Sequence, residues 1–302
     1  VMLGFPAKPA AAQGKAGAAA APSDPSLNIG TARYGLVTKD GNAWLQNPAE
    51  ETRVVTEMSG RTPKLTVRTT SMRGNPTADE YALTVNGTTR LYASPVDFQP
   101  VSETNSEDRL GGSVNISALD GGTITTHDLT IDVSAKGQDN VGGGDGYGGD
   151  GTGGNIDIAA DYDGAITVNG NLTATANGTG ASGPNGAGLG QGGSVSIGSG
   201  DGTLSVTGNL TVNAEGFGGS IAEGGSGSGG NAQGGTVSLY SYGPGSITIG
   251  GSTNLVANAT GGDGNSGGSA QGGSAGAGAN DGTLTLGAWT YASAIATGGD
   301  AT

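Results

Sequence analysis

The stretch VSIGSGDGTLSVTGNLTVNAEG, from Val195 to Gly216, decides the fold, because the second half of the chain repeats its apolar spacing. Apolar residues alternate with small polar ones at Val195 and Ile197, Leu204 and Val206, and Leu210, Val212 and Ala214. Alternation with a period of two is typical of half-buried β-strands. Asp201-Gly202 and Thr207-Gly208-Asn209 separate the three strands, and glycine adopts corner conformations easily. The stretch therefore predicts a unit of three short strands that bends twice.

Four further copies of this unit flank it, two on each side. Their apolar residues are Val114, Ile116, Ile124, Leu129, Ile131 and Val133; Ile156, Ile158, Ile166, Val168, Leu172, Ala174 and Ala176; Val237, Leu239, Ile247, Ile249, Leu255, Ala257 and Ala259; and Ala275, Ala277, Leu284, Leu286, Trp289 and Tyr291. The corner glycines Gly122, Gly164, Gly202, Gly245 and Gly282 are 42, 38, 43 and 37 residues apart. One unit cannot bury its apolar face alone, so units with such a period are expected to stack. The predicted fold is all-β, a parallel β-helix or β-solenoid with three short strands per turn.

Composition agrees with a thin core, since the 302 residues include 64 glycines, three phenylalanines and no cysteine. The absence of cysteine excludes disulfides and thiolate metal sites. All twelve Lys and Arg lie at or before Lys136, and the 166 residues that follow carry twelve acids and no base. Such an anionic surface repels nucleic acid and anionic lipid. No apolar run is long enough for a membrane span, and we expect any export signal to lie outside this sequence.

Three regions are predicted. Residues 1–24 form an Ala/Gly/Pro-rich tail with the composition of a linker, for which a contact with a neighbouring subunit is the expected role if it is ordered. Residues 25–105 carry antiparallel signals, including the hairpin dipeptides Asp40-Gly41 and Asn86-Gly87. They predict a small antiparallel β module, a cap or contact domain, with Tyr34, Trp44, Tyr81 and Tyr92 in its core or as a ligand platform. Residues 106–302 form the solenoid of about five turns.

Glycine-rich excursions interrupt the solenoid at one recurring corner, as in GQDNVGGGDGYGGDGTGG and GTGASGPNGAGLGQGG. Singly, each would be a flexible loop. Stacked over one another, they could pack as extended polyproline-II-like strands, because glycine lets backbones touch. We expect the ordered arrangement.

The repeated segments resemble the filamentous-haemagglutinin-like large exoproteins and adhesins of Gram-negative bacteria over residues 111–302. The matching segments are 193–197 (GSVSI), 235–239 (GTVSL), 170–173 (GNLT) and 208–211 (GNLT). The resemblance implies a right-handed parallel β-helix in an extracellular, cell-surface fibre that acts in adhesion and biofilm formation. A secretion domain and a C-terminal barrel are not recognised here, and residues 1–105 match no family motif.

Candidate sites are few. Asn171, Asn209 and Asn254, with Asp128 in the first copy, precede the third strand and predict a structural amide ladder. Asp145, Asp150 and Asp157 are similar to a calcium-binding glycine-aspartate repeat, but its nine-residue period is missing, so weak calcium binding is weighed and no metal site is predicted.

Catalysis has little support in the sequence. The single histidine, His127, has no recurring acid or nucleophile near it, and Asp157, Asp161 and Asp163 form the one acidic cluster. We therefore predict no enzyme, no catalytic residue and no cofactor.

The expected function is that of a structural extracellular fibre segment or self-assembling filament subunit whose partner is itself, with a cell surface or glycan as a further partner. Neither nucleic acid binding nor membrane insertion is expected. Two alternatives stay open: a ligand- or glycan-binding module at residues 27–98 on a solenoid stalk, and a calcium-dependent or polysaccharide-active β-helix. A phage tail fibre would have a similar sequence.

Overall fold

The computed structural model describes residues 106–119, 121–140 and 146–302 in full, together with the backbone of seven strands nearer the N-terminus. Every regular element in these residues is a β-strand. A parallel β-solenoid of about five turns follows a region that contains antiparallel strand pairs. The predicted fold class is thereby confirmed.

The seven N-terminal strands combine antiparallel and parallel pairing. They are β1 (Ser26–Ile29), β2 (Ala32–Lys39), β3 (Asn42–Leu45), β4 (Arg53–Ser59), β5 (Thr62–Thr70), β6 (Ala82–Val85) and β7 (Thr89–Tyr92). Strand β1 pairs antiparallel with β2 and β6, β2 with β3, and β4 with β5. In contrast, β5, β6 and β7 each pair parallel with a strand of the first solenoid turn. These three strands therefore lie on the solenoid as a preceding turn would.

Three sheets of parallel strands form the body of the solenoid. The first contains β9 (Ser113–Leu119), β14 (Asn155–Ala160), β19 (Ser194–Ser199), β24 (Thr236–Tyr242) and β29 (Ser274–Asn280). The second contains β10 (Thr123–Thr126), β15 (Ala165–Val168), β20 (Thr203–Val206), β25 (Ser246–Ile249) and β30 (Thr283–Leu286). The third contains β11 (Leu129–Asp132), β16 (Leu172–Thr175), β21 (Leu210–Asn213), β26 (Thr253–Val256) and β31 (Thr290–Ser293). Each strand pairs in register with its equivalents one turn before and one turn after, except in the last turn, where β29, β30 and β31 pair only with the turn before.

Two ladders of two-residue strands flank the glycine-rich excursions. These ladders were not predicted from the sequence. The outgoing ladder contains β12 (Ala135–Lys136), β17 (Gly178–Thr179), β22 (Gly216–Phe217), β27 (Ala259–Thr260) and β32 (Ala296–Thr297). The returning ladder contains β8 (Arg109–Leu110), β13 (Gly151–Thr152), β18 (Gly190–Gln191), β23 (Ala232–Gln233) and β28 (Ala270–Gln271). Each excursion is thereby anchored to its neighbours on both sides of its base.

One continuous core runs along the axis between the three sheets. Every apolar position predicted for the first four copies is buried, and Ala275, Leu284 and Leu286 of the last copy pack against the same core. Alternate strand residues point to opposite faces, which places the small polar residues outside.

The third strand of the last two copies departs from the predicted register. Leu255 was expected at the position of Leu210, but it pairs with Val212, so that Thr253 occupies the leucine position and is fully buried. A separate error affects the last copy, in which Trp289 and Tyr291 were expected in the core but Tyr291 pairs with the outward residue Asn254. Trp289 and Tyr291 are instead 59% and 45% exposed. Apolar spacing placed the third strand of the fourth copy two residues too late and that of the last copy one residue too early, because threonine holds the leucine position in both copies and resembles an outward residue in sequence.

The predicted hairpin at Asn86-Gly87 is wrong, because β6 and β7 belong to different sheets. They flank a solenoid corner, since Val85 is in register with Thr126 and Thr89 with Leu129. The predicted hairpin around residues 40–41 fits the antiparallel pairing of Lys39 with Asn42. The tail 1–24, the two hairpin dipeptides and the side chains of Tyr34, Trp44, Tyr81 and Tyr92 lie outside the described residues.

Candidate functional site: the glycine-rich blade

The predicted ladder before the third strand exists, with a different bonding pattern and one different member. Oδ1 of Asp128 accepts the backbone N–H of Asn171 at 2.8 Å, and Oδ1 of Asn171 accepts that of Asn209 at 3.0 Å. Asn209 in turn accepts the N–H of Ser252 at 2.9 Å, so Ser252 holds the place predicted for Asn254. The side chains therefore satisfy backbone donors of the next turn, and do not bond amide to amide as expected.

A second corner ladder was missed. Its members directly follow the last apolar residue of each third strand: Ser134, Asn177, Glu215 and Asn258. Oγ of Ser134 accepts the N–H of Asn177 at 3.1 Å, and Oδ1 of Asn177 accepts that of Glu215 at 2.8 Å. A polar side chain recurring at this one position of four copies was the available signal.

The excursions stack into what we call the glycine-rich blade, formed by the described residues of 136–152, 179–191, 217–233, 260–271 and 297–302. Each excursion runs outward along one layer and back along the other, and hydrogen bonds join the two layers. A continuous zigzag of backbone hydrogen bonds runs up the blade and alternates between the two layers. In this zigzag the N–H of each residue donates to the C=O of the residue named before it, at 2.8–3.0 Å: Glu107, Gln138, Gly149, Ala181, Gly188, Gly219, Gly230, Gly262, Gly268 and Gly299. The blade is therefore ordered by its backbone, as expected for the stacked arrangement.

Glycine is required where the two layers touch. An ideal Cβ at Gly188 would lie 2.0 Å from the carbonyl oxygen of Gly149, and one at Gly190 would lie 1.9 Å from that of Phe217. These distances are shorter than any real Cβ contact. Residues with side chains instead recur on the outside at every third position, as at Ser228 and Asn231, and three is the period of a polyproline-II helix.

Side-chain oxygens on the outward positions reinforce the blade. Oδ1 of Asp139 accepts the N–H of Ser182 at 2.9 Å, while its Oδ2 lies 2.9 Å from Nζ of Lys136. Partial burial by itself would raise the pKa of Asp139, but the Ser182 hydrogen bond and the Lys136 ammonium outweigh it and hold the pKa below its ordinary value. Lys136, the last base in the sequence, therefore stabilises the first layer of the blade.

Two of the residues weighed for catalysis, His127 and Asp157, lie within hydrogen-bond distance of neighbouring side chains. Nδ1 of His127 lies 3.1 Å from Oδ2 of Asp128, whose Oδ1 belongs to the corner ladder. Oδ2 of Asp157 accepts a hydrogen bond from Nδ2 of Asn115 at 3.1 Å. The pKa of Asp157 is raised, mainly by the partial burial of this carboxylate and secondly by the nearby negative charge of Asp161.

The structure does not assemble the aspartates weighed for calcium. Asp150 lies on the blade and accepts the N–H of Leu189 at 2.7 Å, whereas Asp157 lies on the outer face of the first sheet. Asp161 accepts the N–H of Gly200 at 2.8 Å, and Asp163 lies in a turn with a φ of 62°. Asp145 lies outside the described residues. Within the residues that the structure describes, no group of three or more His, Asp or Glu side chains is placed to hold a metal ion.

No protein-family model, curated protein or solved structure matches this chain. The described residues contain no helix that could span a membrane. The chain is therefore defined at the level of its architecture, a β-solenoid with a glycine-rich blade.

Proposed function

We propose that this chain is a structural segment of an extracellular bacterial fibre of the adhesin-like exoprotein kind, and that it acts through its stiffness and repetitive surface without catalysing a reaction. One observation carries the proposal: every strand of an interior turn pairs in register with the turns on either side, so the solenoid is built by axial repetition. A fold of this kind extends indefinitely by adding turns.

The last described turn is open to such an addition. Leu284 and Leu286 pack against the core but remain partly exposed, and strands β29 to β32 have a neighbour on one side only. A further turn, from the same chain or from a second copy, would cover them. The purely acidic composition after Lys136 keeps the sides of such a fibre soluble.

Electron microscopy of the purified chain at neutral pH, with and without chelator, tests self-assembly. The longest sheet of one chain has nine strands, which at about 4.8 Å each measure roughly 43 Å, so a rod much longer than this must contain several copies. Long filaments that persist in chelator are the expected result. Particles of single-chain length would restrict the proposal to a segment of a longer fibre, and filaments that dissolve in chelator would favour the calcium-dependent alternative.

A matched pair of variants tests whether copies of the chain join through the last turn. Leu284→Lys places a charge on the apolar end of the last turn, whereas Thr285→Lys places it on the exposed outer face of the same strand. Filaments should shorten with L284K and persist with T285K. Equal filament lengths in both variants would show that copies do not join through this turn.

A further inference from the structure

A shallow groove of about 370 Å3 lies on the returning layer of the glycine-rich blade. One wall is a row of equivalent positions joined by parallel bridges: Tyr147, Gly186 and Ser228. The other wall is the next outward row, three residues further along the chain: Asp150, Leu189 and Asn231. The middle position of the first row, Gly186, has no side chain.

The Tyr147 ring occupies the space left by that glycine. An ideal Cβ at Gly186 would lie 2.6 Å from Cδ1 and 2.7 Å from Cε1 of the ring, so the ring rests directly on the glycine backbone. The tyrosine nevertheless remains 55% exposed. Large aromatic side chains are rare in this sequence, and this one presents a flat apolar surface at the edge of the groove.

Two polar groups on the opposite wall are held in place with one side free. Oδ1 of Asp150 accepts the N–H of Leu189, and among the described residues no donor reaches its Oδ2. Likewise, Oδ1 of Asn231 accepts the N–H of Ser269 at 2.9 Å, while its Nδ2 has no acceptor within the described residues. The two side chains are two turns, or about 10 Å, apart along the blade. The groove therefore offers an oriented acceptor, an oriented donor, and the apolar surface of Tyr147 and Leu189 beside them.

We propose that this groove binds a short neutral oligosaccharide. A pyranose has an apolar C–H face that packs on an aromatic ring, and its hydroxyls both donate and accept hydrogen bonds, as the carboxylate and amide require. The distance between Asp150 and Asn231 corresponds to two linked sugar units. Uronates, sialic acids and sulfated sugars are disfavoured, because the residues that line the groove include the Asp150 carboxylate and no base. The site is a property of the blade and does not depend on the proposed fibre assembly.

Saturation-transfer NMR on the full chain tests the proposal, with maltose, cellobiose, lactose and N,N′-diacetylchitobiose as neutral probes, and glucuronic acid and choline as charged ones. At least one neutral disaccharide should show saturation transfer, and glucuronic acid should show none. Tyr147→Ala should weaken that binding by up to about tenfold, the loss expected for one aromatic contact. Asp150→Asn, which keeps the oxygen that accepts from Leu189, should weaken it as well.

A pair of filling variants separates the groove from the rest of the surface. Ser228→Phe places a side chain in the groove, while Ser266→Phe makes the same change at the equivalent exposed position one turn further on, outside the groove. Binding should be lost with S228F and retained with S266F. Absence of transfer to every neutral sugar, binding of choline alone, or equal effects of the two variants would each overturn the proposal.

Discussion

Oδ1 of Asn209 accepts the backbone N–H of Ser252 at 2.9 Å, which links two corners that lie one turn apart. At this corner the chain changes direction between two sheets, and the side chain supplies an acceptor to the N–H of the following turn. The corner ladders thus continue the hydrogen bonding of the sheets around the bends.

Replacing Asn209 should weaken the solenoid by a small and specific amount. Asn209→Ala leaves the Ser252 N–H without its acceptor, and because the corner is exposed we expect a loss of about 0.5–1 kcal/mol in the free energy of unfolding. Asn209→Asp keeps the oxygen, as Asp128 does in the first turn, and should retain most of the stability. Urea unfolding measures both. A larger loss with aspartate than with alanine would show that the acceptor is not what matters.

Thr253→Val should stabilise the protein. Thr253 is fully buried at a position where earlier turns have leucine, and its Oγ1 has no hydrogen-bond partner among the described residues. Removing an unsatisfied buried hydroxyl while keeping the shape should raise the free energy of unfolding by about 1 kcal/mol or more. Thr211→Val, on the outer face of the preceding strand, is the control and should change it little. A loss of stability in T253V would mean that the hydroxyl is satisfied in solution.

Alanine should be tolerated at one glycine and not at another. In Gly190→Ala the new methyl would lie 1.9 Å from a backbone oxygen, so the layers must separate, at a cost of about 3 kcal/mol or more. In Gly276→Ala the methyl meets nothing within 4 Å. Thermal unfolding should show a large fall in Tm for G190A only. Similar Tm values would indicate that the blade is looser than its contacts imply.

The pH dependence of stability should reflect two aspartates with opposite shifts. The raised pKa of Asp157 means that the folded state holds this proton to higher pH than the unfolded state, so stability falls as pH rises above 3.8 and through the folded pKa. Asp157→Asn should therefore be more stable than the parent at neutral pH and similar to it in strong acid.

Asp139 has the opposite sign. Its lowered pKa gives a contribution that is present above 3.8 and is lost as pH falls through the folded pKa. Asp139→Asn should therefore be less stable than the parent at neutral pH. Urea unfolding across the acid range measures both variants, and parallel curves for the two would contradict the assigned causes.

Sequence alone predicted the solenoid because alternation and period are local patterns. It placed Leu204 and Val206 in the core and Asn171 and Asn209 in a ladder for this reason. It failed at Thr253, since a buried threonine and an exposed one look alike in sequence and only the register separates them.

The blade and its groove were harder to predict. Glycine-rich segments carry no apolar pattern, and their order depends on backbone contacts between turns. The shared surface of Tyr147, Asp150 and Asn231 depends on that stacking, so no stretch of sequence contains it.

The zigzag of backbone hydrogen bonds through the blade has a mechanical consequence. Tension along the solenoid axis pulls on every ladder of a turn at the same time, and in the blade the load passes alternately between the outgoing and returning layers through the bonds of Gly149, Ala181 and Gly188. No single excursion can be drawn out without also loosening the turns above and below it. We therefore expect the region of the sequence with the fewest side chains to resist extension, because its backbone hydrogen bonds distribute each load among neighbouring strands.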